Sequence, residues 1–168
     1  DFYENMARWS FNLQVYFLSH RYKSLKKMVE SSSSTIQDRT IYEDVEIFAR
    51  NLYEMGNMSE RDWNNYRQLF DIMVEELKSP DLIIYLKASV DTLLTRIHKR
   101  SRDFERKVDP EYLYRLNLSY DRWIKKEQKD KQVLIVYTDN FNIFEDKNDY
   151  HEIIARIRKY CPKKGSQA

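Results

Sequence analysis

Leu82-Ile83-Ile84-Tyr85-Leu86 and Val133-Leu134-Ile135-Val136-Tyr137 are continuous apolar runs of strand length, the pattern of parallel strands covered on both faces. Around them the apolar residues follow a helical period. Phe11, Val15, Leu18, Tyr22, Leu25 and Val29 alternate spacings of four and three, which predicts a long amphipathic helix ended by Ser31 to Ser34. Val45, Phe48, Ala49 and Leu52 mark a second helix. Trp63, Tyr66, Phe70, Met73 and Leu77 mark a third, with Ser59 as its N-cap and Pro80 closing the stretch. Ser89 caps a helix through Val90, Leu93, Leu94 and Ile97. Asp109-Pro110 reads as N-cap and first turn of another through Leu113, Leu116, Tyr120 and Trp123. Tyr150, Ile153, Ile154 and Ile157 mark the last helix, and Pro162 to Ala168 reads as a frayed tail. Strands alternating with helices imply an α/β layer with a parallel sheet.

Composition narrows the function. With 168 residues and 42% hydrophobic content the chain can bury one core, so residues 1–168 are read as a single domain. Basic and acidic residues number 29 and 27, a net +2, far from the excess a nucleic acid polymer demands of its binder. The one cysteine, Cys161, excludes an internal disulfide and a Cys-rich zinc site, and cytoplasm is the expected location. No apolar stretch approaches the roughly 18 residues of a membrane span, so no membrane partner is expected. His20, His98 and His151 lack metal-site spacing.

Chemistry concentrates at Asp38-Arg39-Thr40, which follows Thr35-Ile36-Gln37, a short run able to end a buried strand. A carboxylate and a guanidinium leaving a strand end together suit phosphate and metal chemistry, where positioning and charge neutralisation dominate. An Asp-Arg dipeptide alone is commonly a surface ion pair; its place after a strand sets this one apart. Gln14 lies on the buried stripe of the first helix, so its amide needs polar partners inside an apolar layer. Arg21 is two turns further along the same face. Arg96 and Arg100 share a helix face, with Arg102 just beyond. Such a run usually marks a solvated basic face, but like charges this close repel one another, and a multiply charged phosphate relieves them.

Taken with Phe2-Tyr3-Glu4, Arg8-Trp9-Ser10-Phe11-Asn12-Leu13-Gln14 and the R-x-x-x-R-x-R-x-x-E spacing from Arg96 to Glu105, these residues resemble the deoxyribonucleoside kinase family over nearly the whole chain. The resemblance implies a P-loop kinase-like three-layer fold with five parallel strands in order 2-3-1-4-5, of which strands 3, 4 and 5 are expected here. It implies ATP-dependent phosphorylation of the 5′-hydroxyl of a deoxyribonucleoside, more in keeping with a purine, in nucleotide salvage. Gln14 becomes the base-reading amide, Arg21 and Asp44 a pair beside the base, and Phe48 the ring on which the base stacks. Tyr3 and Glu105 meet the sugar 3′-hydroxyl. Asp38 lies near Mg²⁺ and Arg39 near the 5′-oxygen, where many relatives carry Glu-Arg-Ser. Arg96, Arg100 and Arg102 belong to a lid at about 96–107 that contacts ATP, a device that closes water out of the site. Phe144 matches an aromatic of the adenine loop, although Ile143 replaces a more usual acid. The family also packs its long helices into a homodimer.

Gly56 and Gly165 are the only glycines, and neither sits between a strand and a helix, so this stretch cannot build a glycine-rich phosphate cradle. The resemblance therefore implies an upstream strand, phosphate loop and general base before Asp1, and an inactive protein without them. Two rivals stand beside it: a nucleoside monophosphate kinase of the thymidylate kinase type, and a non-catalytic helical assembly protein.

Overall fold

The computed structural model describes residues 2–31, 33–102, 108–140 and 147–160. They form two compact units, one of residues 1–79 and 102–123, the other of 80–101 and 124–168.

The first unit is helical. Helix α1 (Met6–Val29) starts at Asn5, whose side chain accepts from the Arg8 amide at 3.0 Å. This satisfies one of the orphan donors of the first turn. Its buried positions, Ser10, Gln14 and Leu18, repeat every fourth residue as the apolar stripe requires. A second helical run begins earlier than its apolar pattern suggests. It comprises α2 (Ile41–Glu43), a π-helical segment (Asp44–Ala49) and α3 (Arg50–Glu54). Its start is fixed by polar chemistry: the Glu43 carboxylate reaches back to the Thr40 amide at 2.6 Å, as in a capping box. Helix α4 (Glu60–Val74) has Ser59 as its N-cap, accepting from the Asp62 amide at 3.1 Å. Leu18, Ile41, Val45, Ala49, Met58, Tyr66 and Phe70 pack as one buried cluster from these helices.

The second unit holds the sheet. Strands β1 (Ile83–Lys87) and β2 (Val133–Tyr137) pair in parallel, Ile83 opposite Val133 through Lys87 opposite Tyr137. Between them in the chain run α5 (Val90–Arg100), capped by Ser89, and α6 (Pro110–Glu127), led by Asp109. Helix α7 (Lys147–Tyr160) follows β2. Parallel strands need such a long crossover, so helices between the two runs are what the pairing demands.

The expectations for the sheet are met only in part. Thr35–Gln37 is not a strand: it joins neither β1 nor β2, and Ile36 is 88% exposed. A strand exists only by its ladder, and among the described residues nothing pairs with this run. The five-strand order is accordingly not seen; the described sheet has two strands. Cover on both faces is also partial. Tyr85, Leu134 and Val136 are buried, whereas Leu86 and Tyr137 stand 62% and 68% exposed near the strand ends.

Candidate active site

The Asp-Arg motif is a turn rather than a strand end. Arg39 has φ 60°, the left-handed region that a side chain makes costly. A non-glycine residue held there marks stored strain, which collects where function requires a fixed geometry. The turn throws the Arg39 guanidinium back over Phe48, 4.5 Å from the ring centre. Phe48 meets a second ring at its edge, Tyr120, at 6.2 Å. The Tyr120 hydroxyl donates to Glu43 Oε1 at 3.3 Å, and Glu43 Oε2 accepts from both the amide and hydroxyl of Thr40, at 2.6 and 3.3 Å. One carboxylate thus joins the motif, the start of α2 and α6.

Arg21 ties the motif to the π-helical segment. Its Nη1 donates to the Asp38 carbonyl at 3.4 Å, and its Nε lies 2.6 Å from Asp44 Oδ2. The latter contact is an ion pair by distance; neither Nε nor Oδ2 is aligned as a hydrogen bond. Asp44 is 2% exposed, and burial pushes its carboxyl up to about 6, against the opposing pull of Arg21. Glu43 adds to the rise and Arg39 lowers it. Buried ionisable groups with charge partners of this kind concentrate at functional sites. A π-helical turn carries this pair's acid and the Phe48 ring, and such turns are also frequent at functional sites.

Gln14 is 3% exposed with its Oε1 lacking any hydrogen-bond partner among the described residues. This is the unsatisfied interior amide that the α1 stripe predicts, and an unmet acceptor of this sort calls for an explanation. Ser10, one turn earlier and fully buried, is satisfied through its Oγ donating to the Met6 carbonyl at 2.6 Å.

Tyr3, Gln14, Arg21, Asp38, Arg39, Asp44 and Phe48 therefore all fall in the first unit, where Arg21 contacts Asp38 and Asp44, and Arg39 contacts Phe48. Tyr112 joins them unannounced: it is 5% exposed, and its phenol, raised chiefly by burial, also feels Tyr3 and Arg39. Sequence reasoning missed Tyr112, Tyr120 and Glu43. Only Glu43 had a legible signal, the Thr40-x-x-Glu43 spacing of a capping box.

The lid arginines have a different setting. Arg96 donates through Nη1 to Thr138 Oγ1 at 3.0 Å and through Nη2 to the Thr138 carbonyl, so its fork grips the residue after β2. Asp139 Oδ1 accepts from the Ser89 amide at 2.8 Å and the Thr92 hydroxyl at 2.6 Å, holding the N-terminus of α5. These donors keep the Asp139 carboxyl down at about 2. Arg100 is exposed in the last turn of α5, which Ser101 ends at φ 52°. Arg102 is exposed just beyond. Glu105 and Phe144 lie outside the described residues. A depression lined by Tyr22, Lys26, Val29, Glu30, Glu76 and Leu77 contains none of the candidate residues.

The family model described as deoxynucleoside kinase matches residues 1–162. The deoxyadenosine/deoxycytidine kinase of Bacillus subtilis (strain 168) is 35% identical, over 93% of this chain and 72% of that protein. The deoxyguanosine kinase of the same organism is also 35% identical, over 94% and 77%. A solved structure of deoxyadenosine kinase from M. mycoides with bound dCTP superposes with a TM-score of 0.80 at 29% identity, covering 94% of this chain and 78% of that one.

Proposed function

The chain belongs to the deoxynucleoside kinase family, and from that premise we infer that it phosphorylates the 5′-hydroxyl of a deoxyribonucleoside, a purine by preference, with ATP as donor, in nucleotide salvage. The observation that carries the reading is the pair of unmet polar groups in an apolar helical layer. Among the described residues Gln14 Oε1 has no partner, and Asp44 is held by a single off-axis guanidinium. A nucleobase edge supplies what each lacks. Adenine, for one, offers an amino donor beside a ring acceptor, and an amide meets both.

Around that base site the remaining roles follow. Phe48 is the stacking surface, and Tyr3 with Glu105 reads the sugar 3′-hydroxyl. Arg39 is the cation at the reacting 5′-oxygen, its guanidinium already within the site and able to leave the Phe48 face as the base arrives. Arg100 and Arg102 supply lid charges to the ATP phosphates, Arg96 orients that lid, and Phe144 is assigned to ATP by its match to an aromatic of the family's adenine loop. Residues 1–168 act as one kinase domain with the lid at about 96–107.

Mg²⁺ is read as the counter-ion of the phosphates, with Asp38 its protein ligand. The donor set fits: Asp38 is exposed at the turn, and among the described residues there is no cluster of three or more His, Cys, Asp or Glu. This is the setting of a cation held by one carboxylate together with phosphates and water. When bound it neutralises charge on the transferring group. In the family sheet of order 2-3-1-4-5, β1 and β2 correspond to strands 4 and 5. Exposed Trp9, Tyr16 and Phe17 on α1 support a homodimer built on that helix, and the single cysteine is in keeping with the cytoplasm.

Chromatographic assay of the full-length protein with ATP, Mg²⁺ and each deoxynucleoside or its 5′-monophosphate tests the reading. Formation of a monophosphate from deoxyadenosine or deoxyguanosine is expected. Turnover of monophosphates alone assigns the thymidylate kinase type instead, and turnover of neither overturns both.

A further inference from the structure

Helix α4 contributes a group that the roles above leave unused. Tyr66 is fully buried, and its hydroxyl has no hydrogen-bond partner among the described residues. The ring packs in one cluster with Leu18, Val45 and Ala49. Leu18 lies one turn from both Gln14 and Arg21 on α1, and Val45 adjoins Asp44, so the phenol stands within the layer that carries the Arg21–Asp44 pair. The charged groups acting on it are those two: after burial, Asp44 raises its proton affinity and Arg21 lowers it. Burial keeps the phenol protonated, which makes it an O–H donor throughout the working pH range. A carboxylate has about four acceptor positions, and among the described residues Asp44 Oδ2 is met by Arg21 alone, out of alignment.

We propose that Tyr66 is a positioning residue for Asp44, its hydroxyl the neutral donor that fixes the carboxylate as the nucleobase docks. The proposal rests on Asp44 being the base-side acid. The groups acting on that acid are Arg21 from α1 and Arg39 and Glu43 from the segment leading into it, and Tyr66 from α4 feels its charge in turn. Of these, Tyr66 alone acts without a charge. Removing its hydroxyl therefore changes the proton affinity of Asp44 while the net charge of the site stays the same. A hydrogen bond to the ionised form favours that form, so its loss makes Asp44 harder to ionise.

Tyr66→Phe keeps the ring and its packing, and serves as the test. The readout is kcat for the nucleoside between pH 5 and 8, which reports ionisation in the docked complex, together with KM, in the full-length protein, beside the melting temperature. The acid limb of the profile is expected to move to higher pH and KM near pH 6 to rise about threefold to tenfold, with no loss of thermal stability. In an Asp44→Asn background, where that limb is absent, Tyr66→Phe is expected to add nothing. An unmoved limb, or an equal effect in the Asp44→Asn background, overturns the role of Tyr66 and leaves the kinase reading standing. A wild-type protein with no deoxynucleoside turnover overturns both.

Discussion

Arg39 covers Phe48: its guanidinium carbon sits 4.5 Å from the ring centre, delivered there by a backbone at φ 60°. The residues proposed as the charge for the phosphate and the surface for the base are thus stacked on each other. Cation–π contacts at exposed sites contribute only about 0.5–1 kcal/mol, small enough for a ligand to separate the two.

Arg39→Ala is expected to lower kcat about 100-fold or more, since it removes charge from the reacting centre, while the exposed position leaves the fold intact. Arg39→Gly should lose as much activity yet melt higher than Arg39→Ala, because glycine adopts positive φ without strain, a difference of roughly 1 kcal/mol. Steady-state kinetics and thermal unfolding of the two variants check both statements.

Gln14→Leu puts a side chain of similar size in place of an amide whose Oε1 is unmet among the described residues. Stability is expected to hold or rise, because an unsatisfied buried polar atom costs about 1–3 kcal/mol. Nucleoside KM should increase at least tenfold, about 1.4 kcal/mol of binding. Denaturant unfolding and a nucleoside titration separate the two effects.

Asp44 carries a pH signature. Its folded-state pKa, about 6, lies above the ordinary 3.8, so the folded protein binds a proton that the unfolded chain releases. Its contribution to stability is therefore fully present below pH 3.8 and is lost as pH rises to about 6. Measured relative to Asp44→Asn, wild-type stability should fall by on the order of 2–3 kcal/mol across that window and stay level above it. Nucleoside kcat/KM should change in the opposite direction, rising as the carboxylate ionises.

Thr138→Val removes the Oγ1 that accepts from Arg96 at 3.0 Å and carries no charge of its own. If Arg96 orients the lid through that contact, this neutral substitution should raise the KM for ATP about threefold to tenfold, a net hydrogen bond's worth. Arg96→Lys should resemble it, since an ammonium lacks the planar fork. A KM for ATP unaffected by Thr138→Val would assign the charge of Arg96 directly to phosphate.

Much of this molecule was legible residue by residue. Periodicity located α1, α4 and α5, and the N-caps Ser59 and Ser89 act locally, within three residues of chain. The burial of Gln14 followed from its place on a 3.6-residue stripe. Thr35–Gln37 misled, since strand character depends on a partner elsewhere in the chain, and Ile36 found none among the described residues. The early start of α2 was written in the Thr40 and Glu43 pair, a polar signal that an apolar pattern overlooks.

By itself the sequence determined the helices, the two apolar strands and the family, because these rest on short-range periodicity and on spacings that survive in one dimension. Tertiary structure alone decided that Arg21, which the resemblance already pairs with Asp44, also reaches the Asp38 carbonyl, that Glu43 meets Tyr120 across 77 positions, and that Tyr66 and Tyr112 are buried close enough to feel the site's charges. The reason is physical. Electrostatic and hydrogen-bond energies depend on distance and burial, and neither quantity exists until helices remote in the chain have packed.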